Sequence, residues 1–183
     1  LSSAASDVYK RQRQYIEFID DKSKLLELKV LDKLNELGLE YFIYEHPPLR
    51  TVEESKALRG VMHGGHTKNL FLRDKKKKNY LITVNENQKI DLKFLESELS
   101  TGRLSFGSPE RLSQFLGVKP GAVSPLALLN DKHNDVAFFI DHNLLSENIL
   151  NLHPLVNHLT VSIKVTDFKY FLKSQNIFYN EIY

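Results

Sequence analysis

Two short stretches carry the residue types that could do chemistry. Gly121-Ala122-Val123-Ser124-Pro125 places a glycine four residues ahead of a proline. Such a glycine lets backbone approach a ligand closely, and the proline stiffens the loop that holds it there. About fifty residues earlier, His66-Thr67-Lys68-Asn69 runs into the apolar segment Leu70-Phe71-Leu72. Lys68 and Asn69 thus bring a cation and an amide to the mouth of an expected strand. Taken alone, Gly121 and Pro125 read as a structural turn, Asn69 as the cap of a strand end and His153 as a satisfied core histidine.

Other chemistries lack their residues. The 183-residue chain contains no cysteine, which removes disulfides, thiol nucleophiles, zinc ribbons and iron–sulfur clusters. No G-x-S-x-G elbow is present, and the segment Arg59-Gly60 to Gly64-Gly65 lacks the spacing and the lysine–hydroxyl pair of a phosphate loop. His63 and His66 stand three apart and could share a helical turn as metal ligands, but no third ligand accompanies them. Lys75 to Lys78 could touch phosphate, although their place at a hairpin tip favours a solvated turn. No metal and no cofactor are expected.

The elements that must position these residues follow from periodicity. Leu25, Leu26, Leu28, Val30, Leu31, Leu34 and Leu37 recur at helical spacing up to Gly38, which stops the helix. Tyr41 to Tyr44 reads as a strand halted by His46-Pro47-Pro48, and Thr51 caps a short helix from Val52 to about Leu58. Leu70 to Leu72 and Tyr80 to Val84 form a hairpin across the lysine run. Asp91 and Ser108-Pro109 open two further helices, the second ending at Gly117. Strands are expected at Val136 to Ile140, Asn148 to Leu152 and Leu159 to Val165, with a last helix from Thr166 or Asp167 through Leu172. Irregular alternation of this kind predicts an α+β (mixed α/β) fold, a mixed sheet with helices around it, in one domain.

Composition sets the outer limits. At 42% hydrophobic and 26% charged the chain can bury a real core, and its net charge of +2 permits RNA binding without demanding it. No apolar run approaches the ~18 residues of a membrane span. Absence of cysteine fits a cytoplasmic setting. The first twelve residues, Leu1 to Gln12, are expected to contribute no fold or function, either as a translated library adapter or as a disordered tail. Residues 13–183 then make the domain.

Several phrases together resemble one family. They are Glu45-His46-Pro47-Pro48 with Thr51-Val52-Glu53-Glu54, His66 through Asp74, Gly102-Arg103-Leu104-Ser105-Phe106, Ser108 through Leu112, Leu116 through Pro125, and His153-Pro154-Leu155-Val156-Asn157. In this order they resemble the YbaK family of aminoacyl-tRNA editing domains. Within it they are closest to the freestanding alanyl-tRNA(Pro) deacylases of the ProXp-ala or PrdX type, the prolyl-tRNA synthetase-associated domains. The resemblance spans about Leu31 to about Phe171 and implies a barrel-like mixed sheet surrounded by helices.

It also implies an activity: hydrolysis in trans of the ester of mischarged tRNA(Pro), most often alanyl-tRNA(Pro), with cysteinyl or seryl esters as variants. Prolyl-tRNA synthetase cannot fully reject a smaller side chain, because a few missing methylenes discriminate by only about 1–3 kcal/mol, so a second sieve is needed. By similarity, Lys68 anchors the substrate electrostatically and Asn69 and His153 line the pocket. Backbone around Gly121 supplies donors, with Ala122, Val123, Ser124 and Pro125 forming the substrate loop and Thr51 and Val52 shaping the pocket. The resemblance gives His153 no role as general base; it points to backbone groups and the substrate's own ribose hydroxyl. Mischarged tRNA(Pro) is the implied partner, with prolyl-tRNA synthetase a second one. One departure stands out: His158-Leu159 replaces small residues and threonines, a change that either alters the pocket wall or faces solvent. A non-catalytic tRNA- or synthetase-binding module of the same fold is the competing reading.

Overall fold

The structure, a computed structural model, describes residues 21–46, 48, 51–53, 56 and 62–183. Helix α1 (Asp21–Glu36) matches the leucine periodicity and ends where expected. Gly38 takes a left-handed φ of 68°, and the Leu39 N–H returns to the Leu34 carbonyl. Strand β1 (Tyr41–Glu45) follows. Of the expected helix after Thr51, Val52 and Glu53 are helical, and much of the remainder lies outside the described residues, as do Leu1 to Gln12.

Strand β2 (Gly65–Arg73) starts five residues earlier than expected and pairs with β3 (Asn79–Asn85) through a register running from Thr67↔Asn85 to Arg73↔Asn79. The polar stretch before Leu70 looks like a loop in sequence; its backbone pairs as strand, and its residues are polar because one side of it faces a polar cleft instead of the core. Helix α2 (Leu92–Glu98) has Asp91 as its cap, accepting the Lys93 N–H. After β4 (Ser105–Phe106), helix α3 (Pro109–Leu116) is capped by Ser108 and closed by Gly117 at φ 67°. A 3₁₀ helix (Pro125–Asn130), β5 (Val136–Asp141), α4 (His142–Leu145), β6 (Ile149–Leu152) and β7 (Leu159–Lys164) come next. Helix α5 (Val165–Ser174) and β8 (Tyr179–Ile182) complete the chain.

The eight strands form a mixed sheet in the order β1-β7-β6-β2-β3-β5-β8, with β4 added beside β2. The pairs β6–β2, β3–β5 and β5–β8 are parallel and the others antiparallel. The expected mixed sheet is present, and β1 and β8 occupy the ends of its path.

Both faces of the sheet are covered. On one, Phe71 and Leu81 join Phe138, Phe168, Phe171, Leu31 and Leu34 in the main core. On the other, Leu72, Tyr80, Ile82 and Val84 pack with Leu95 of α2 and Leu104. Alternate residues of β2 and β3 therefore enter different cores, as the two-residue repeat of a strand requires. Among the described residues, no helix is long and apolar enough to cross a membrane.

Candidate functional site

Strand β2 changes neighbours along its length. Gly65 and His66 pair with β6, whereas Leu72 and Arg73 pair with β4. Among the described residues no strand pairs with that edge in between. The His66 carbonyl accepts the Glu86 N–H at 2.9 Å on the β3 side, and the Phe71 carbonyl accepts the Gly107 N–H at 2.9 Å on the other. Since backbone groups alternate sides along a strand, Lys68 and Leu70 bond toward β3 and the Asn69 N–H points into the gap.

A cleft of about 200 Å³ opens there. It is lined by Lys68 and Asn69 of β2, Gly121 and Val123 of the loop after α3, and His153 just beyond β6. Successive strand residues face opposite sides, so a cleft touching both Lys68 and Asn69 must wrap the open edge. Thr51 and Val52 also contribute. The structure thus brings together seven of the residues singled out from sequence, scattered over about one hundred positions.

Each is held by identifiable contacts. The Lys68 ammonium donates to the Gln88 carbonyl, and of its three N–H donors two are left among the described residues for an anionic ligand. Asn69 Oδ1 accepts the hydroxyl of Thr83 at 2.7 Å, which fixes the amide plane. Thr83 lies directly opposite Asn69 in the ladder and is fully buried. Gly121 adopts φ 88°, in the left-handed region that favours glycine. His153 donates from Nδ1 to the Leu159 carbonyl at 2.8 Å, leaving Nε2 as an acceptor when the ring is neutral. The loop bearing it includes buried Leu155 at φ 66°, a strained conformation for a leucine.

Burial lowers the His153 pKa from its ordinary 6.5; the bond to Leu159 opposes this, and His46 and His158 reinforce it. The sign for stability follows. Between 6.5 and the lowered folded value, the unfolded chain binds a proton that the folded one refuses, so stability falls as pH drops through that window. Urea unfolding at pH 7.5 and 5.5 is expected to show this loss, and His153→Gln is expected to shrink it. An equal loss in both proteins would assign the effect elsewhere.

Three expected substrate-loop residues do not line the cleft. Ala122 is in the main core, Ser124 is fully buried and accepts the Leu126 N–H at 3.3 Å, and Pro125 begins the 3₁₀ helix. The loop turns at Gly121, where the Ala122 N–H closes on the Lys119 carbonyl, and is extended by Ser124 at φ −156°; Gly121 and Val123 line the cleft while Ala122 and Ser124 are buried. Their contribution is to fix the loop. His158 neither faces solvent nor lines the cleft; its Nε2 lies 3.7 Å from Glu27 Oε2 of α1, and both groups are largely buried. His63 and His66 do not share a helical turn, because His66 lies in β2 and donates to the Met62 carbonyl at 2.9 Å.

The cleft also contains Glu86, Asn151 and Thr160, which were not anticipated from sequence, and His66, considered there only as a metal ligand. Asn151 is buried, donates to the His63 carbonyl at 3.0 Å and accepts from Ser162. Thr160 Oγ1 is 2.9 Å from His46 Nε2. Polar residues within the apolar strands Ile149–Leu152 and Leu159–Lys164 were the available signal for Asn151 and Thr160. His66 shares the β2 face of Lys68, which becomes visible once the strand is started at Gly65.

The site is thus a small polar cleft with one fixed cation, set in the open edge of a mixed sheet, a class of site whose size and polarity suit a small polar group. Comparison with known proteins narrows that class. The aminoacyl-tRNA editing domain family matches residues 46–171. Prolyl-tRNA editing protein ProX of Acetoanaerobium sticklandii is 38% identical over 146 residues, covering 79% of this chain and 89% of the relative. Prolyl-tRNA synthetase associated domain-containing protein 1 of Mus musculus is 34% identical over 154 residues, covering 81% and 90%. A solved structure described as a candidate trans-editing enzyme for prolyl tRNA synthetase superposes with a TM-score of 0.63 at 19% identity, covering 89% of this chain and 97% of that one, a likeness of fold. The chain belongs to the aminoacyl-tRNA editing domain family.

Proposed function

We propose that this chain is a trans-editing deacylase that hydrolyses the ester of mischarged tRNA(Pro), with alanine the group removed. The observation that carries the reading is the meeting of Lys68 and Gly121 in one cleft of about 200 Å³. That space suits an aminoacyl end and is small beside the ~300–1,000 Å³ of sites that enclose a whole ligand. The name of the Acetoanaerobium relative supports prolyl-tRNA as the system concerned.

The chemistry asks little of the protein. An aminoacyl ester is already activated, so a held water or the neighbouring ribose hydroxyl can assist once the carbonyl is oriented. Lys68 supplies fixed positive charge near the ester, and the loop at Gly121 lets backbone reach the acyl group without a side chain between. The Asn69 N–H, directed into the gap, is a further donor. His153, kept neutral by burial, shapes the wall and accepts at Nε2. Prolyl-tRNA synthetase is the enzyme whose errors would supply the substrate.

The deciding experiment is deacylation of purified alanyl-tRNA(Pro), with cysteinyl-tRNA(Pro) and prolyl-tRNA(Pro) alongside. Rapid loss of alanine alone supports the proposal. Preference for cysteine keeps the reaction and changes the substrate. Cleavage of no ester overturns it in favour of a binding module.

A further inference from the structure

The β2–β3 hairpin continues past the cleft into Lys75-Lys76-Lys77-Lys78, all four exposed. Among the described residues no carboxylate pairs with any of their ammonium groups. The carboxylate closest in sequence, Asp74, is occupied inward. Its Oδ1 accepts the Lys78 N–H at 2.9 Å and its Oδ2 accepts the Tyr80 hydroxyl at 3.1 Å. Asp74 therefore shapes the turn and does not neutralise it.

The tip is also braced. The Asp74 N–H donates to the Lys78 carbonyl and the Lys77 N–H to the Asp74 carbonyl, both at 3.1 Å. Arg111 of α3 reaches up to donate to Asn79 Oδ1 at 2.6 Å and to the Lys77 carbonyl. Lys77 itself adopts φ 65°, a conformation that glycine or asparagine takes more easily. Lysine in that position sacrifices backbone ease for charge, in a turn whose geometry is otherwise well fixed.

We propose that this lysine tip docks the sugar–phosphate backbone of the RNA whose 3′ end occupies the cleft. The inference rests on the editing reading of the cleft. Scale supports it. Arg73 lies five residue steps from Lys68, about 17 Å of strand at ~3.3 Å per residue, and the lysines lie beyond. A free aminoacyl-nucleoside could not reach them, whereas a stacked stem can run that far along the β2–β3 ribbon. Contacts of this kind give affinity and salt dependence without reading sequence.

The test compares wild type with the K75Q/K76Q/K77Q/K78Q variant and its four-arginine counterpart. Each is assayed across a KCl series on full-length alanyl-tRNA(Pro) and on a CCA trinucleotide carrying the same ester. On full-length tRNA the glutamine variant is expected to lose at least about tenfold in kcat/KM at low salt. Its log–log salt slope should be shallower by about 3, as for four lost phosphate contacts. The arginine variant should match wild type, and the trinucleotide should be cleaved equally by all three. Unchanged activity on full-length tRNA, or an equal loss on both substrates, would overturn the proposal. Binding of uncharged tRNA by the same proteins separates this from the editing reading. If no ester is cleaved, a shallower binding slope in the glutamine variant still upholds the docking surface, and an unchanged slope rejects it.

Discussion

Replacing Lys68 with alanine is expected to slow deacylation of alanyl-tRNA(Pro) by about 10²-fold or more, the scale for losing one preorganised electrostatic donor at a developing charge. Lys68 is the one side chain on β2 that places a cation in the cleft. In the folded protein its ammonium is tied to the Gln88 carbonyl and to no carboxylate among the described residues. Its removal leaves no buried charge without a partner, so the fold should survive with a stability change within about 1 kcal/mol. That separation makes the result interpretable. A fall in kcat at constant thermal midpoint would place the effect in the transition state. A rise in KM alone would make Lys68 a binding group, and undiminished kcat/KM would remove it from the mechanism.

The second large effect is on stability. Gly64 lies just before β2 at φ 102°, and a Cβ there would stand 2.6 Å from the Ile149 carbonyl oxygen and 2.9 Å from Ile149 Cβ. Alanine at this position meets two costs at once. The backbone conformation is unfavourable for any L side chain by ~1–3 kcal/mol, and the crowding against β6 adds ~1–3 kcal/mol. Gly64→Ala should therefore lose about 4 kcal/mol in urea unfolding. The damage falls at the seam where β6 meets β2, so activity should decline even at temperatures where the variant remains folded. Gly102 provides the control, since nothing lies within 4 Å of a Cβ added there. A Gly64→Ala protein as stable as Gly102→Ala would show that the seam yields.

Helices and apolar strands were readable from sequence because their signals are local. Leucine spacing ending at Gly38, the Asp91 and Ser108 caps, and the run Val136 to Ile140 each state their own structure. The functional half of β2 was not readable in that way. His66, Thr67, Lys68 and Asn69 have no core to pack against on the side of the cleft, so the pattern that identifies a strand is missing where it serves the site. The short elements β4 and α4 escaped for another reason. Two to four residues carry too little periodicity, and their conformation comes from partners distant in the chain.

For the site, residue types gave Lys68 and Gly121 as candidates, and the family resemblance turned them into a pair. The inward turn of Ala122 and Ser124 needed the three-dimensional path of the loop. So did the distance between His158 and the cleft: the bulk that marks it as a departure in sequence is spent against Glu27 of α1.

The unpaired middle of β2 has a consequence for amide exchange. Lys68 and Leu70 give their N–H groups to β3, whereas that of Asn69 faces the cleft. Three neighbours on one strand should then show slow, fast and slow deuterium uptake in turn. An occupant that bonds to this edge would slow Asn69 and leave the two flanking amides as they were. One amide would therefore report occupancy of the cleft without a label, a substrate turnover or a change in fold.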